Sequence, residues 1–152
     1  RRLIPVLESG LVPGREPLLI GDRAVAICKD LDFAPMIREY GRRGAVLMYV
    51  PAWDFTLDGR LHARMAMVRG VENGFAMARA AAMGRLTVSD AFGRIVAEAV
   101  TSDRGPTVLV AEVGLTSRRT IYSRIGDAFA WLTVAGAVLL VVSLVLRRRG
   151  PA

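Results

Sequence analysis

Ten residues carry the strongest structural signal in this chain: Ala24-Val25-Ala26-Ile27-Cys28-Lys29-Asp30-Leu31-Asp32-Phe33. An apolar, partly β-branched run ends on the only cysteine, and charged residues follow at once. This pattern predicts a buried strand that ends at Cys28. Residues 34–40 predict a helix with Pro35 in its first turn. A sharp strand-to-helix turn can present a nucleophile, although an inert buried thiol is the alternative.

The rest of the domain alternates predicted strands and helices. A continuous apolar strand over residues 45–50 is ended by Pro51, and residues 60–73 form a helix stopped by Gly74. Residues 90–93 (DAFG) predict a turn between two later strands. The further strand candidates are residues 75–82, 86–89, 94–100 and 107–113. This alternation predicts an α/β sheet domain.

The C-terminal region has the composition of a membrane span. Residues 128–146 contain no charge, and a helix of that length is nearly as long as the roughly 30 Å bilayer core is thick. Trp131 lies near one end as an interfacial anchor, and a short basic tail (147–152) begins with three arginines. The positive-inside rule then puts the preceding domain on the non-cytoplasmic side. A buried helix of a soluble protein is the alternative.

Composition limits the other functional classes. The chain has 152 residues, 53% hydrophobic content and a net charge of +7, but its arginines are scattered and form no basic stripe with interleaved aromatics, so we expect no nucleic-acid partner. A single cysteine excludes an intrachain disulfide in this segment. The only histidine, His62, cannot build a metal site alone; a substrate-side role and a surface role both stay open. We expect no metal and no cofactor.

Four segments, in order, resemble the nitrilase, or carbon-nitrogen hydrolase, superfamily. They are VAICKD (25–30), GAVLMYVPAWD (44–54), HARMAMVRGVENG (62–74) and TIYSRIGD (120–127). The last resembles in particular the apolipoprotein N-acyltransferase branch, membrane enzymes that acylate lipoprotein N-termini. The resemblance implies that residues 1–120 are the C-terminal part of an α-β-β-α sandwich, followed by a transmembrane helix over 128–146. It also implies that the chain is the C-terminal portion of a longer polypeptide.

The same resemblance implies a Glu-Lys-Cys triad. Cys28 would be the nucleophile that forms a thioester, while a glutamate acts as general base and a lysine stabilises the oxyanion. Because Leu3-Ile4-Pro5 matches the motif that follows the family's lysine, we expect both partners upstream of Arg1. Glu8 matches a second, supporting carboxylate, with a solvated loop carboxylate as the alternative.

Four further residues are implied at the substrate pocket: Lys29, Asp30, Trp53 and Asp54. Lys29-Asp30 departs from the Tyr-Glu pair common in the N-acyltransferase branch, which leaves the substrate open. A solvated lysine, a packed Trp and a capping Asp are the structural alternatives. Arg69, Glu72 and Asn73 in the helix motif are interpreted as structural, with Arg69 and Glu72 able to pair.

The expected function is a membrane-attached thiol acyltransferase. It would move an acyl group from phospholipid to the N-terminal amine of a lipoprotein, at the inner (plasma) membrane with its catalytic domain on the periplasmic side. A membrane-anchored amide or nitrile hydrolase acting on a small amide is the first alternative. A degenerate, non-enzymic interaction domain is the second.

Overall fold

The computed structural model describes residues 14, 16–55, 57–102, 105–116 and 118–148. Its elements, in chain order, are β1 (Leu18–Ile20), β2 (Arg23–Val25), a 3-10 turn (Cys28–Asp32), α1 (Ala34–Arg42), β3 (Leu47–Trp53), α2 (Gly59–Asn73), β4 (Ala76–Ala82), β5 (Arg85–Ser89), β6 (Ile95–Val100), α3 (Ile121–Ile125) and α4 (Ala128–Arg148). We call Cys28–Asp32 the cysteine turn.

The six strands form one mixed sheet in which strand order follows chain order. β2, β3 and β4 are parallel, and the other neighbouring pairs are antiparallel. Each parallel connection crosses over through a helix, α1 after β2 and α2 after β3, as parallel pairing requires. The predicted α/β class is confirmed.

The hydrophobic core lies between one face of this sheet and the two crossover helices. Ile37 of α1 packs with Met48, Val50 and Met77 of the sheet, all of them buried. Successive side chains of a strand point to opposite faces, so the odd-numbered positions of β3 face the other way. On that face Trp53 is 68% exposed. One face of the sheet is therefore covered by helices, while the other presents apolar side chains to solvent.

Pro51 does not end the second predicted strand, because β3 continues through it to Trp53. The carbonyl oxygen of Tyr49 accepts a hydrogen bond from the Ala26 N–H at 3.1 Å. Two residues later, Pro51 faces the same neighbour, but the ladder between β2 and β3 has already ended at Val25 and Tyr49. The missing N–H of proline therefore deprives no strand of a hydrogen bond.

The strand before Cys28 is shorter than its apolar run. β2 stops at Val25, and Ile27 is 62% exposed. Its backbone N–H donates to the Asp30 side chain at 2.8 Å instead of to a neighbouring strand. The chain thus leaves the sheet before the cysteine is reached.

The strand predicted over residues 107–113 does not form in the described part of the chain. None of the six strands pairs with this segment, and Val108 and Val110 are 82% and 88% exposed. A strand is defined by a hydrogen-bonded neighbour, and β-branched composition alone does not supply one.

The helix predictions agree with the structure. Pro35 lies at the start of α1, and α2 ends at Gly74, whose φ of +79° is the left-handed conformation that glycine adopts freely. The predicted C-terminal helix is present as α4. It is long and apolar enough to cross a membrane, by length and composition alone.

Candidate active site

Cys28 occupies a sharp turn between β2 and α1. Its φ is +37°, a value that side chains other than glycine adopt only where the surroundings impose it. The Asp30 carboxylate contributes by accepting the Ile27 N–H at 2.8 Å. The predicted strand-to-helix placement of Cys28 therefore agrees with the structure, with the cysteine turn between the two elements.

The turn brings the thiol to the end of the neighbouring strand. Cys28 is half-buried, and its Sγ lies 3.7 Å from the carbonyl oxygen of Trp53. Trp53 is the last residue of β3, and Cys28 lies just beyond the end of β2. Both are therefore at the carboxyl edge of parallel strands, where α/β sheets commonly bind ligands. Trp53 is itself largely exposed, so this edge of the sheet carries an accessible aromatic residue.

Lys29 is engaged by a neighbour in the same turn. Its ammonium forms an ion pair with Asp32, and the hydrogen bond and charge of Asp32 raise the pKa of Lys29. The Lys29 side chain is 65% exposed, an environment that also fits the solvated alternative. The Asp30 carboxylate caps the cysteine turn by accepting the Ile27 N–H. Asp30 therefore has a conformational role, and its pocket role stays a prediction.

Asp54 lies in the interior, beneath α2. It is 0% exposed, and Arg79 donates to both of its carboxylate oxygens, at 2.8 and 2.5 Å. His62 Nδ1 lies 3.0 Å from Oδ1 of the same group. Burial acts to raise the pKa of Asp54, but the hydrogen bonds from Arg79 and His62 outweigh it and lower that pKa.

These contacts support a structural role for Asp54 that differs from the capping role considered above, and its pocket role stays a prediction. Asp54 also gives His62 a partner within the fold.

Arg79 was not predicted from the sequence, although a signal was present: an arginine in the middle of the alanine-rich strand AMARAAA. A charge in a buried strand needs an opposite charge nearby, and Asp54 is that partner.

The helix motif of α2 holds the cysteine turn from the other side. Arg69 Nε donates to the Leu31 carbonyl at 2.9 Å, and Arg69 also pairs with Glu72 at 2.5 Å. Asn73 donates to the Arg69 carbonyl at 2.9 Å. The predicted Arg69–Glu72 pair is present, and its structural role is to fix the loop that follows Cys28.

Glu8 and the Leu3-Ile4-Pro5 motif lie outside the described residues. Within residues 14, 16–55, 57–102, 105–116 and 118–148, no group of three His, Cys, Asp or Glu side chains is placed to hold a metal ion.

Sequence comparison finds relatives over most of the chain, although no family model matches it. An apolipoprotein N-acyltransferase of Geobacter metallireducens is 34% identical over 85% of this chain and 25% of its own length. One from Chlamydia muridarum is 32% identical over 97% of this chain and 28% of its own. The chain thus spans about a quarter of the length of the curated relatives it matches.

Fold comparison leads to the superfamily predicted from the motifs. Saccharomyces cerevisiae Nit3, a member of branch 10 of the nitrilase superfamily, superposes with a TM-score of 0.55 and 30% identity over 60% of this chain and 40% of its own. An amidase from Nesterenkonia sp. gives a TM-score of 0.52 and 25% identity over 59% and 40%. In fold the chain matches part of the nitrilase superfamily, and in sequence it matches the apolipoprotein N-acyltransferases.

Proposed function

We propose that this chain carries the nucleophile of a membrane-attached acyltransferase and that Cys28 is that nucleophile. The observation that supports this most directly is the half-buried thiol on a positive-φ turn at the carboxyl edge of β2 and β3. Such a turn holds a side chain clear of the sheet, where a substrate can reach it. The names of the curated relatives supply the reaction class, N-acyl transfer.

The proposed chemistry has two steps. The general base takes the Cys28 thiol proton, the sulfur attacks the ester carbonyl of a phospholipid, the C–S bond forms, and the C–O bond to glycerol breaks. The proton held by the base then passes to the lysophospholipid oxygen. The N-terminal amine of a lipoprotein then attacks the thioester, so that the C–N bond forms, the C–S bond breaks, and the amine's proton returns the free thiol. Splitting the transfer in this way replaces one difficult step with two easier ones.

The general base and the oxyanion lysine of this mechanism are expected outside residues 1–152. Within the chain, the Lys29 backbone N–H follows the nucleophile and is our candidate oxyanion donor. Trp53 is our candidate wall of the substrate pocket, since the residue is 68% exposed and its carbonyl oxygen lies 3.7 Å from the thiol sulfur.

We propose further that α4 crosses the membrane. Its uncharged run is matched in length to the hydrocarbon core, and its residues 129–147 are exposed. The three arginines that follow residue 146 support a cytoplasmic location for that end, by the positive-inside rule. The catalytic domain would then face the periplasm, in reach of membrane lipid and of an exported acceptor.

An acyl-enzyme trap tests the nucleophile. The intact protein is incubated with phospholipid carrying an alkyne-tagged acyl chain, without acceptor, and the tag is located by mass spectrometry. We expect one hydroxylamine-sensitive adduct on Cys28 and none in Cys28→Ala, with both proteins unfolding at the same temperature. An undiminished adduct in Cys28→Ala would overturn the assignment.

A carbon-nitrogen hydrolase is the second candidate, because the fold neighbours include an amidase. It would share the thioester and use water as acceptor. Release of free tagged acid from the trapped enzyme, without acceleration by an N-terminal peptide amine, would favour the hydrolase. Acceleration by the peptide with formation of the amide would favour the transferase.

A further inference from the structure

Three arginines meet in a cleft well away from Cys28. Arg42, Arg119 and Arg124, together with Ser123, line an opening of about 370 Å³. Arg42 lies in the last turn of α1, whereas the other two flank or belong to α3. The fold therefore gathers cationic side chains from two segments that are distant in the chain.

None of these three guanidinium groups forms an ion pair within the described part of the chain. The cleft thus holds three positive charges with no carboxylate facing them there. Nearby positive charges repel one another, and an anion placed between them would remove that repulsion.

The backbone around the cleft is held in place. Arg38 of α1 donates to the carbonyl oxygens of Ser123 at 3.0 Å and Arg124 at 2.6 Å. The Thr120 hydroxyl caps α3 by accepting the Ser123 N–H at 2.9 Å. The two faces of the cleft therefore keep their relative positions without a ligand, which lowers the entropic cost of binding one.

The position of α4 sets the depth of the cleft relative to the bilayer. α4 begins at Ala128, four residues after Arg124, so the two are separated by at most about 14 Å even if the chain were extended. With α4 spanning the bilayer, Arg124 lies at or near the headgroup layer, which is about 5–8 Å thick on each side.

We propose that Arg42, Arg119 and Arg124 bind the phosphate of an anionic phospholipid headgroup at the membrane surface. Three unpaired cations favour a headgroup without its own ammonium, such as phosphatidylglycerol, over a zwitterionic one. This inference rests on the proposed membrane span of α4.

The cleft is separate from the thiol. α1 starts just after the cysteine turn and carries Arg42 at its other end, about 12 Å away along the helix axis. A lipid held here would fix the domain against the bilayer while leaving the carboxyl edge of β2 and β3 free.

Native mass spectrometry of the intact protein in detergent tests the proposal, with dioleoyl phosphatidylglycerol as the probe. The variants Arg119→Gln and Arg124→Gln remove one charge each from exposed positions. We expect each to weaken lipid retention about fivefold, the effect of one basic residue at an anionic surface.

The neighbouring Arg118→Gln is the matched control. Arg118 is adjacent to Arg119 in the sequence, but its guanidinium stacks on the Phe92 ring at 4.7 Å, so this variant should retain lipid like the wild type. Equal weakening in Arg118→Gln, or no retention by the wild type, would overturn the site. Equal retention of dioleoylglycerol, or equally effective competition by inorganic phosphate, would overturn the headgroup assignment.

Alkaline carbonate extraction separately reports whether α4 is inserted in the membrane. Failure of the proposed membrane span is therefore distinguishable from failure of the proposed lipid site.

Discussion

Arg79 holds Asp54 through two hydrogen bonds, of 2.8 and 2.5 Å, in a part of the interior where Asp54 is 0% exposed and Arg79 is 3% exposed. The pair joins the segment after β3 to the middle of β4. His62 extends it to the first turn of α2. Three elements that support the candidate site therefore meet at one carboxylate.

Removing that carboxylate's charge should destabilise the protein strongly. Asp54→Asn leaves the Arg79 guanidinium buried without a counter-charge, and such losses cost about 3–5 kcal/mol. Thermal unfolding of the intact protein in detergent measures the effect. Replacing both partners, as in Asp54→Leu with Arg79→Met, should recover part of the loss, because no isolated buried charge remains. A wild-type unfolding temperature in Asp54→Asn would contradict the role given to the pair.

The Asp54 carboxylate should also make the free energy of unfolding depend on pH in the acid range. The pKa of Asp54 is lowered in the folded state, so its stabilising contribution is complete above its unfolded pKa of about 3.9. That contribution is lost as the pH falls through the lower folded-state pKa. The difference in unfolding free energy between the wild type and Asp54→Asn should therefore be constant above about pH 5 and shrink below pH 4. A difference that grows on acidification would contradict the assignment.

A side chain at Gly84 should destabilise the protein. A β-carbon there would overlap the Asp54 carboxylate and lie 2.7 Å from its Cβ, so Gly84→Ala should destabilise by about 1–3 kcal/mol. Gly114→Ala is the matched control, because a β-carbon at Gly114 meets nothing within 4 Å. Equal unfolding temperatures for the two variants would show that Asp54 is not packed as described.

Arg69 should position the cysteine turn. Arg69→Gln removes the hydrogen bond to the Leu31 carbonyl, which should loosen the turn and change the rate at which Cys28 reacts with a maleimide. Arg64→Gln is the control, since Arg64 lies on the same helix and pairs with Glu98 instead. Equal changes in thiol reactivity in both variants would assign the effect to general stability rather than to positioning.

The proposed orientation of α4 predicts that the C-terminus faces the cytoplasm. With Cys28 replaced by serine and a cysteine placed at Ala152, a membrane-impermeant maleimide should label only opened cells. A cysteine replacing Glu112, which is exposed, is the control and should be labelled in intact cells. Labelling of Ala152→Cys in intact cells would show that the C-terminus faces the outside. That result would contradict both the proposed topology and the proposed lipoprotein acylation.

Local sequence determined the elements whose causes are local. Pro35 at the start of α1, Gly74 at the end of α2 and the uncharged run of α4 each act through a few adjacent residues, so composition and spacing were enough to place them. The position of Cys28 at a strand-to-helix turn could be predicted for the same reason. The motifs also pointed to the nitrilase superfamily.

Tertiary structure alone decided what depends on residues distant in the chain. Pro51 is accepted in β3 because β2 has already left the ladder, and residues 107–113 form no strand because none of the six strands pairs with them. Arg79 is buried because the fold places Asp54 opposite it, and Arg42 reaches the cleft because Arg38 holds α3 against α1. Each outcome depends on which neighbour supplies a hydrogen bond or a charge, and a sequence pattern does not name that neighbour.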